Sequence, residues 1–173
     1  MNKTLLNALI ALGLTATSAL AHATLETKET TMESTYKGVM RIGHGCEGEA
    51  TLKVRITIPE GVINVKPMPK PGWTLDIAEG PYAKTYEYYG ARSAGVKEII
   101  WTGELLDTHY DEFVFRGRIT DSFDEGQMVY FPTVQECANG NKEWVEIPVA
   151  GQDPHDLDRP APGLHLRGAL HSH

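Results

Sequence analysis

Short runs of alternating apolar and polar residues, each ended by glycine, proline or asparagine, recur from Tyr36 to Ile147, and this rhythm restricts the fold most. The runs are Tyr36 to Ile42, Thr51 to Ile58, Val62 to Lys66, Thr74 to Ile77, Lys84 to Tyr88, Val96 to Thr102, Glu112 to Ile119, Met128 to Gln135 and Trp144 to Ile147. Gly61, Pro67 to Gly72, Gly80-Pro81, Gly90, Gly103, Asp124 to Gly126 and Asn139-Gly140 separate them. A helix needs apolar residues three and four apart, and few stretches here have that spacing. Closely spaced strands with no helix between them predict an all-β, antiparallel sandwich. Trp73 and Trp101 fall within the strand pattern and read as core.

From Gly151 the rhythm stops. Gln152 to Gly163 carries Pro154, Pro160 and Pro162 and no apolar period, so residues 151–173 are expected to be an extended tail. The tail contains His155, His165, His171 and His173, which suit either a solvated end or a weak auxiliary metal site. The domain proper is expected to span residues 22–150.

The first 21 residues have a different design: Met-Asn-Lys, an apolar stretch from about Leu5 to Leu14, then Thr-Ala-Thr-Ser-Ala-Leu-Ala. A basic start, a short apolar run and an A-x-A ending describe a secretory signal peptide cut after Ala21. The apolar run is shorter than the roughly 20 residues that span a bilayer. The expected location is therefore outside the cytoplasmic membrane, in the periplasm or on the extracytoplasmic face, with no span left after cleavage. Cleavage removes Lys3 and no acid, leaving 15 basic against 23 acidic residues. That balance disfavours nucleic acid or an anionic membrane as partner.

Cys46 and Cys137 are the only cysteines. An even count in an exported chain predicts one disulfide, which closes a loop of about 90 residues. The competing use of the pair is as soft metal ligands.

Cutting after Ala21 makes His22 the first residue. It then offers an α-amine and a ring Nδ1, two nitrogens able to chelate one ion, an arrangement known as a histidine brace. Their ordinary pKa values, near 8 and 6.5, let a metal displace the protons close to neutrality. Two nitrogens at one corner suit Cu(II), which favours tetragonal nitrogen and oxygen donors. Gly43-His44-Gly45-Cys46-Glu47-Gly48 adds His44 and Glu47 as ligand candidates, tethered through Cys46 to the turn that leads to Trp144. The bland alternative is a stapled sandwich end with Trp144 as an ordinary core aromatic. Asp107, His109, Asp111 and Glu112 cluster near one loop and read as a solvated turn. Nothing resembles a nucleophile with an oriented base, a phosphate loop or a dinucleotide turn, so no enzymatic activity is expected.

Several stretches together carry a resemblance: His22-Ala-Thr-Leu, Arg41-Ile-Gly-His-Gly-Cys-Glu-Gly, Ile58-Pro-Glu-Gly-Val62, Pro71-Gly-Trp73, Ile100-Trp-Thr-Gly103, Asp111 to Gly117, Tyr130 to Cys137 and Trp144 to Pro148. In order and coverage they resemble the YcnI-like family of exported copper-binding domains, in the copies with a Gly/Pro-His-Gly-Cys loop. The resemblance implies an immunoglobulin-like or cupredoxin-like sandwich holding one Cu(II) per chain in a single-histidine brace. It places the brace on His22, a nearby tryptophan on Trp144 and a glutamate on Glu47. The Gly-His-Gly-Cys insertion leaves Glu49 and His44 as alternatives to Glu47. The implied role is copper storage, trafficking or homeostasis in the cell envelope, with copper donor and acceptor proteins, including a membrane copper transporter, as partners. The alternatives are a copper mono-oxygenase, which adds a second histidine side chain, and a C-type copper-resistance carrier.

Overall fold

Twelve strands and a single 3-10 turn make up a computed structural model that describes residues 22–169. The expected signal peptide and His171 and His173 of the tail lie outside the described residues. The first sheet has the order β1-β3-β8-β5, from β1 (Thr24–Leu25), β3 (Thr35–Ile42), β5 (Val62–Pro67) and β8 (Asp111–Ile119). The second has the order β11-β10-β4-β7-β6, from β4 (Thr51–Thr57), β6 (Thr74–Glu87), β7 (Ala91–Leu105), β10 (Thr133–Cys137) and β11 (Asn141–Trp144). A third sheet sets β12 (Gly163–Arg167) between β2 (Glu29–Thr31) and β9 (Met128–Tyr130). Every pairing is antiparallel except β2 with β12. Among the described residues no helix is long and apolar enough to cross a membrane.

Alternation decides which side chains turn inward. Along β8, Phe113, Phe115, Gly117 and Ile119 are buried, while Val114, Arg116 and Arg118 point away. Met40, Phe113 and Phe115 from the first sheet, Ile56 and Trp101 from the second, and Val129, Leu164 and Leu166 from the third belong to one hydrophobic cluster. Burying each large side chain contributes about 1.5–3 kcal/mol relative to exposure. The Trp101 indole N–H is not stranded there, because it donates to the Met68 carbonyl at 3.3 Å. Trp73 is half-buried and meets Phe113 edge-on, with 4.9 Å between ring centroids. On the outer face of the second sheet, Lys53 and Arg55 of β4 bridge Glu136 of β10, and Arg55 also reaches Glu98 of β7.

The strands differ from the sequence expectation in informative ways. The expected break at Gly80-Pro81 lies inside β6, because β6 is an edge strand where a missing N–H leaves no ladder bond unmade. The register against β7 does slip there, between Pro81 and Tyr86. The expected run from Met128 to Gln135 is two strands, separated at Phe131-Pro132, so that β9 joins the third sheet and β10 the second. The tail needs the largest correction. Residues 151–162 are irregular apart from the turn at Pro154–Asp156, but Gly163–Arg167 is a full strand with Leu164 and Leu166 completely buried. The domain therefore runs well past residue 150.

Candidate metal centre

β1 is only two residues long, yet it sets His22 against the body of the domain. It pairs Thr24 with Arg41 and Leu25 with Met40 of β3, so His22 lies two residues before the ladder, toward the end of β3 that leads into the glycine-rich loop. Ala23 and Leu25 are buried, which anchors the segment from within. The His22 ring is half-buried and packs on Trp144, with 5.2 Å between centroids and 60° between planes. Two of the residues singled out in the sequence, some 120 positions apart, are thus in contact.

Trp144 ends β11 and belongs to the core, with only 5% of its surface exposed. Its indole N–H donates to the Gln135 side-chain oxygen at 2.8 Å. The amide nitrogen of Gln135 in turn donates to the His44 carbonyl at 2.9 Å and to Thr51 Oγ1 at 3.0 Å. Gln135 is itself buried, so this bonding satisfies a polar group that would otherwise cost about 1–3 kcal/mol. It joins Trp144 to the glycine-rich loop by direct hydrogen bonds. Two residues beyond Gln135, Cys137 forms the expected disulfide with Cys46, with a Cα–Cα distance of 6.2 Å.

The loop is shaped by close backbone approach. A Cβ on Gly45 would lie 1.9 Å from the Glu49 carbonyl oxygen and 3.0 Å from the Asp107 Cα, so no larger residue fits. Cys46 and Glu49 exchange backbone hydrogen bonds of 2.9 and 3.1 Å around Glu47 and Gly48, whose φ angles are +54° and +95°. Positive φ at both central residues is the type I′ hairpin turn. His44, just before it, has Nδ1 2.7 Å from the Gly45 carbonyl and 3.8 Å from an Asp107 carboxylate oxygen. A ring that donates from Nδ1 keeps its lone pair on Nε2, the arrangement by which a ligating histidine is oriented from behind.

The two glutamates are placed differently. Glu47 sits at the turn tip with 83% of its side chain exposed and its carboxylate paired with Lys142 of β11. That hydrogen bond and charge hold its carboxyl below the usual range. Glu49 accepts from both the backbone and the side chain of Asn139, which lowers its carboxyl likewise. Both line a cavity of about 320 Å³ beside the disulfide, shared with Lys142 and Arg159. His22 lines another, an open groove of about 340 Å³ whose wall includes Met128, His155 and Pro162. The structure thus joins His22 to Trp144 directly and to the His44 backbone through Gln135, and it sets the Glu47 and Glu49 carboxylates in a separate depression. Among the described residues no three His, Cys, Asp or Glu side chains converge as a metal cage. A cage is not what a brace requires, because one of its donors is a backbone amine.

Gln135 was missed by sequence reasoning. The available signal was its inward phase with Thr133 and Cys137 along β10, an unusual position for a glutamine. Of the acidic residues near residues 107–112, Asp111 pairs with Lys70 at 2.6 Å and Glu112 with Arg41 at 3.3 Å, which accords with a charged surface.

Comparison with known proteins adds three findings. Residues 22–166 match a family described as a domain of unknown function, DUF1775. No curated protein matches the chain. One similar solved structure, described as an uncharacterized protein from Nocardia farcinica with an immunoglobulin-like fold, has a TM-score of 0.61 at 22% identity, covering 85% of this chain and 99% of the other. At that identity the likeness speaks for the fold, which is all-β and immunoglobulin-like.

Proposed function

This chain belongs to the DUF1775 family, and on that premise we propose that its mature form is a cell-envelope Cu(II)-binding protein that holds one ion at His22. The carrying observation is the packing of the His22 ring on Trp144 at 5.2 Å, at the residue that the A-x-A cut would expose. The family match beginning at residue 22 supports the same boundary. Copper is the cargo here. The α-amine and Nδ1 of His22 supply two nitrogens, and the Trp144 ring shields one side of the ion from water. His44 is the first candidate for a further ligand, since its backbone is tied through Gln135 to Trp144 and its Nδ1 side is already occupied. Glu47 and Glu49 follow, because their carboxylates are engaged by Lys142 and Asn139 and line a separate depression from His22.

The role is to receive, hold and pass on copper, with donor and acceptor proteins of the envelope as partners and a membrane copper transporter as one recipient. The test is mass spectrometry of the mature amino terminus combined with electron paramagnetic resonance of a Cu(II) titration. One Cu(II) per chain in a nitrogen-rich site is expected, weakening in acid because protons compete with the metal for nitrogen donors. A stoichiometry near zero on correctly cleaved protein would remove the proposal. Oxygen consumption with a reductant, lost in His44→Ala, would instead favour the mono-oxygenase alternative.

A further inference from the structure

The groove that His22 opens onto contains two donors that a Cu(II) brace does not use. Met128 is carried by β9, where buried Val129 points inward and its neighbours point out, and it is 40% exposed. Its place depends on Gly163 of the adjacent strand, since a Cβ there would lie 2.6 Å from the Met128 methyl. His155 lies in the single 3-10 turn, where the Asp153 carboxylate accepts its backbone N–H at 2.9 Å. The proline-rich strap that carries the turn is held down at its carboxyl end. Glu146 and Ala161 bond through the backbone at 2.8 Å, and the Phe131 N–H donates to the Pro162 carbonyl at 2.8 Å. Met128 and His155 line the same groove.

We propose that Met128 and His155 form a second copper site, selective for Cu(I), in the groove beside His22; the proposal rests on the copper reading above. Selectivity follows from the donors. A thioether with an imidazole suits the soft monovalent ion, whereas hard dications seek carboxylate and carbonyl oxygens. No aspartate, glutamate or cysteine lines this groove. Lys28 does line it, and its positive charge repels a dication twice as strongly as a monocation at equal distance. The small apolar walls, Ala161 and Pro162 among them, further disfavour the more highly charged ion. The site would let the protein hold the reduced ion beside the oxidised one without sharing a ligand.

The test is anaerobic competition for Cu(I) between mature protein and a chromophoric Cu(I) chelator, with Cu(II) resonance spectra measured in parallel. Met128→Leu and His155→Ala should each weaken Cu(I) binding by about tenfold or more. Both should leave the Cu(II) spectrum as in the parent, which also reports an intact fold. One extra residue before His22 should abolish tight Cu(II) binding and leave Cu(I) affinity unchanged. Unaltered Cu(I) affinity in both side-chain variants would overturn the proposal, as would loss of Cu(I) binding in the extended protein. Failure of Cu(II) to bind while Cu(I) binding persists and responds to both variants would sink the brace alone and leave this site standing.

Discussion

The two sides of Trp144 are built to opposite specifications. Its indole N–H faces a closed network in which Gln135, the His44 carbonyl and Thr51 are mutually satisfied and the Cys46–Cys137 disulfide lies close by. Its ring packs on His22, which in turn lines an open groove. A hydrogen-bonded network of this kind is rigid, because breaking any link leaves a buried polar group unpaired. An open face, by contrast, leaves room for an ion and its exchange partner. On the proposed copper reading the contrast is a division of labour, in which the closed side would hold the tryptophan in place and the open side would do the binding.

The sharpest way to break that contrast acts on the open side alone. An additional residue before His22 converts its amine into an amide with no lone pair to donate, so Cu(II) affinity should fall by about 100-fold or more while thermal stability stays as it was. Isothermal titration together with a melting curve checks both halves; equal affinity would remove the brace. On the closed side, replacing Cys46 and Cys137 by serine should lower unfolding stability by about 4–5 kcal/mol in the chain-entropy picture, measured in urea. Gln135→Leu should cost about 1–3 kcal/mol, since the Trp144 indole N–H and the His44 carbonyl lose their partner. It should also perturb the Cu(II) spectrum, and an unperturbed spectrum would mean that the closed side does not position the open one.

The smallest effect lies on the outer face of the second sheet. The hydrogen bond from Lys53, with help from Arg55, holds the Glu136 carboxyl below its ordinary range against the opposing effect of burial. A depressed folded-state value means that this contribution is present above the unfolded carboxylate pKa, near 4.3, and is lost as pH falls below it. Glu136→Gln should therefore flatten part of the acid-side loss of stability, by under about 1 kcal/mol, and leave copper binding untouched.

Much of the sandwich was legible because alternation is written locally. β3, β4, β5 and β8 coincide with the expected runs to within a residue or so. The pieces that were hidden depend on partners far along the chain. β1 has two residues and β2 three, too short to show a period, and each exists because another strand receives it. In β12 only Leu164 and Leu166 alternate, and the prolines before them masked the change. The site shows the same division. His22, Trp144 and the disulfide were legible from a cleavage pattern, a family resemblance and cysteine count. The engagement of Glu47 with Lys142 was not, because it depends on where a turn tip falls against β11. Gln135 was unreadable for a similar reason: its partners come from two other segments.

The parallel pairing of β12 with β2 brings together the two ends of the described chain. Core residues Leu164 and Leu166 cannot be supplied until every other described strand has been made. Contacts between distant segments also form slowly, since the loop-closure entropy must be overcome first. A domain of this topology stays incomplete until β12 emerges. On the envelope location proposed above, late closure by β12 would act as a delay that keeps the domain open during export.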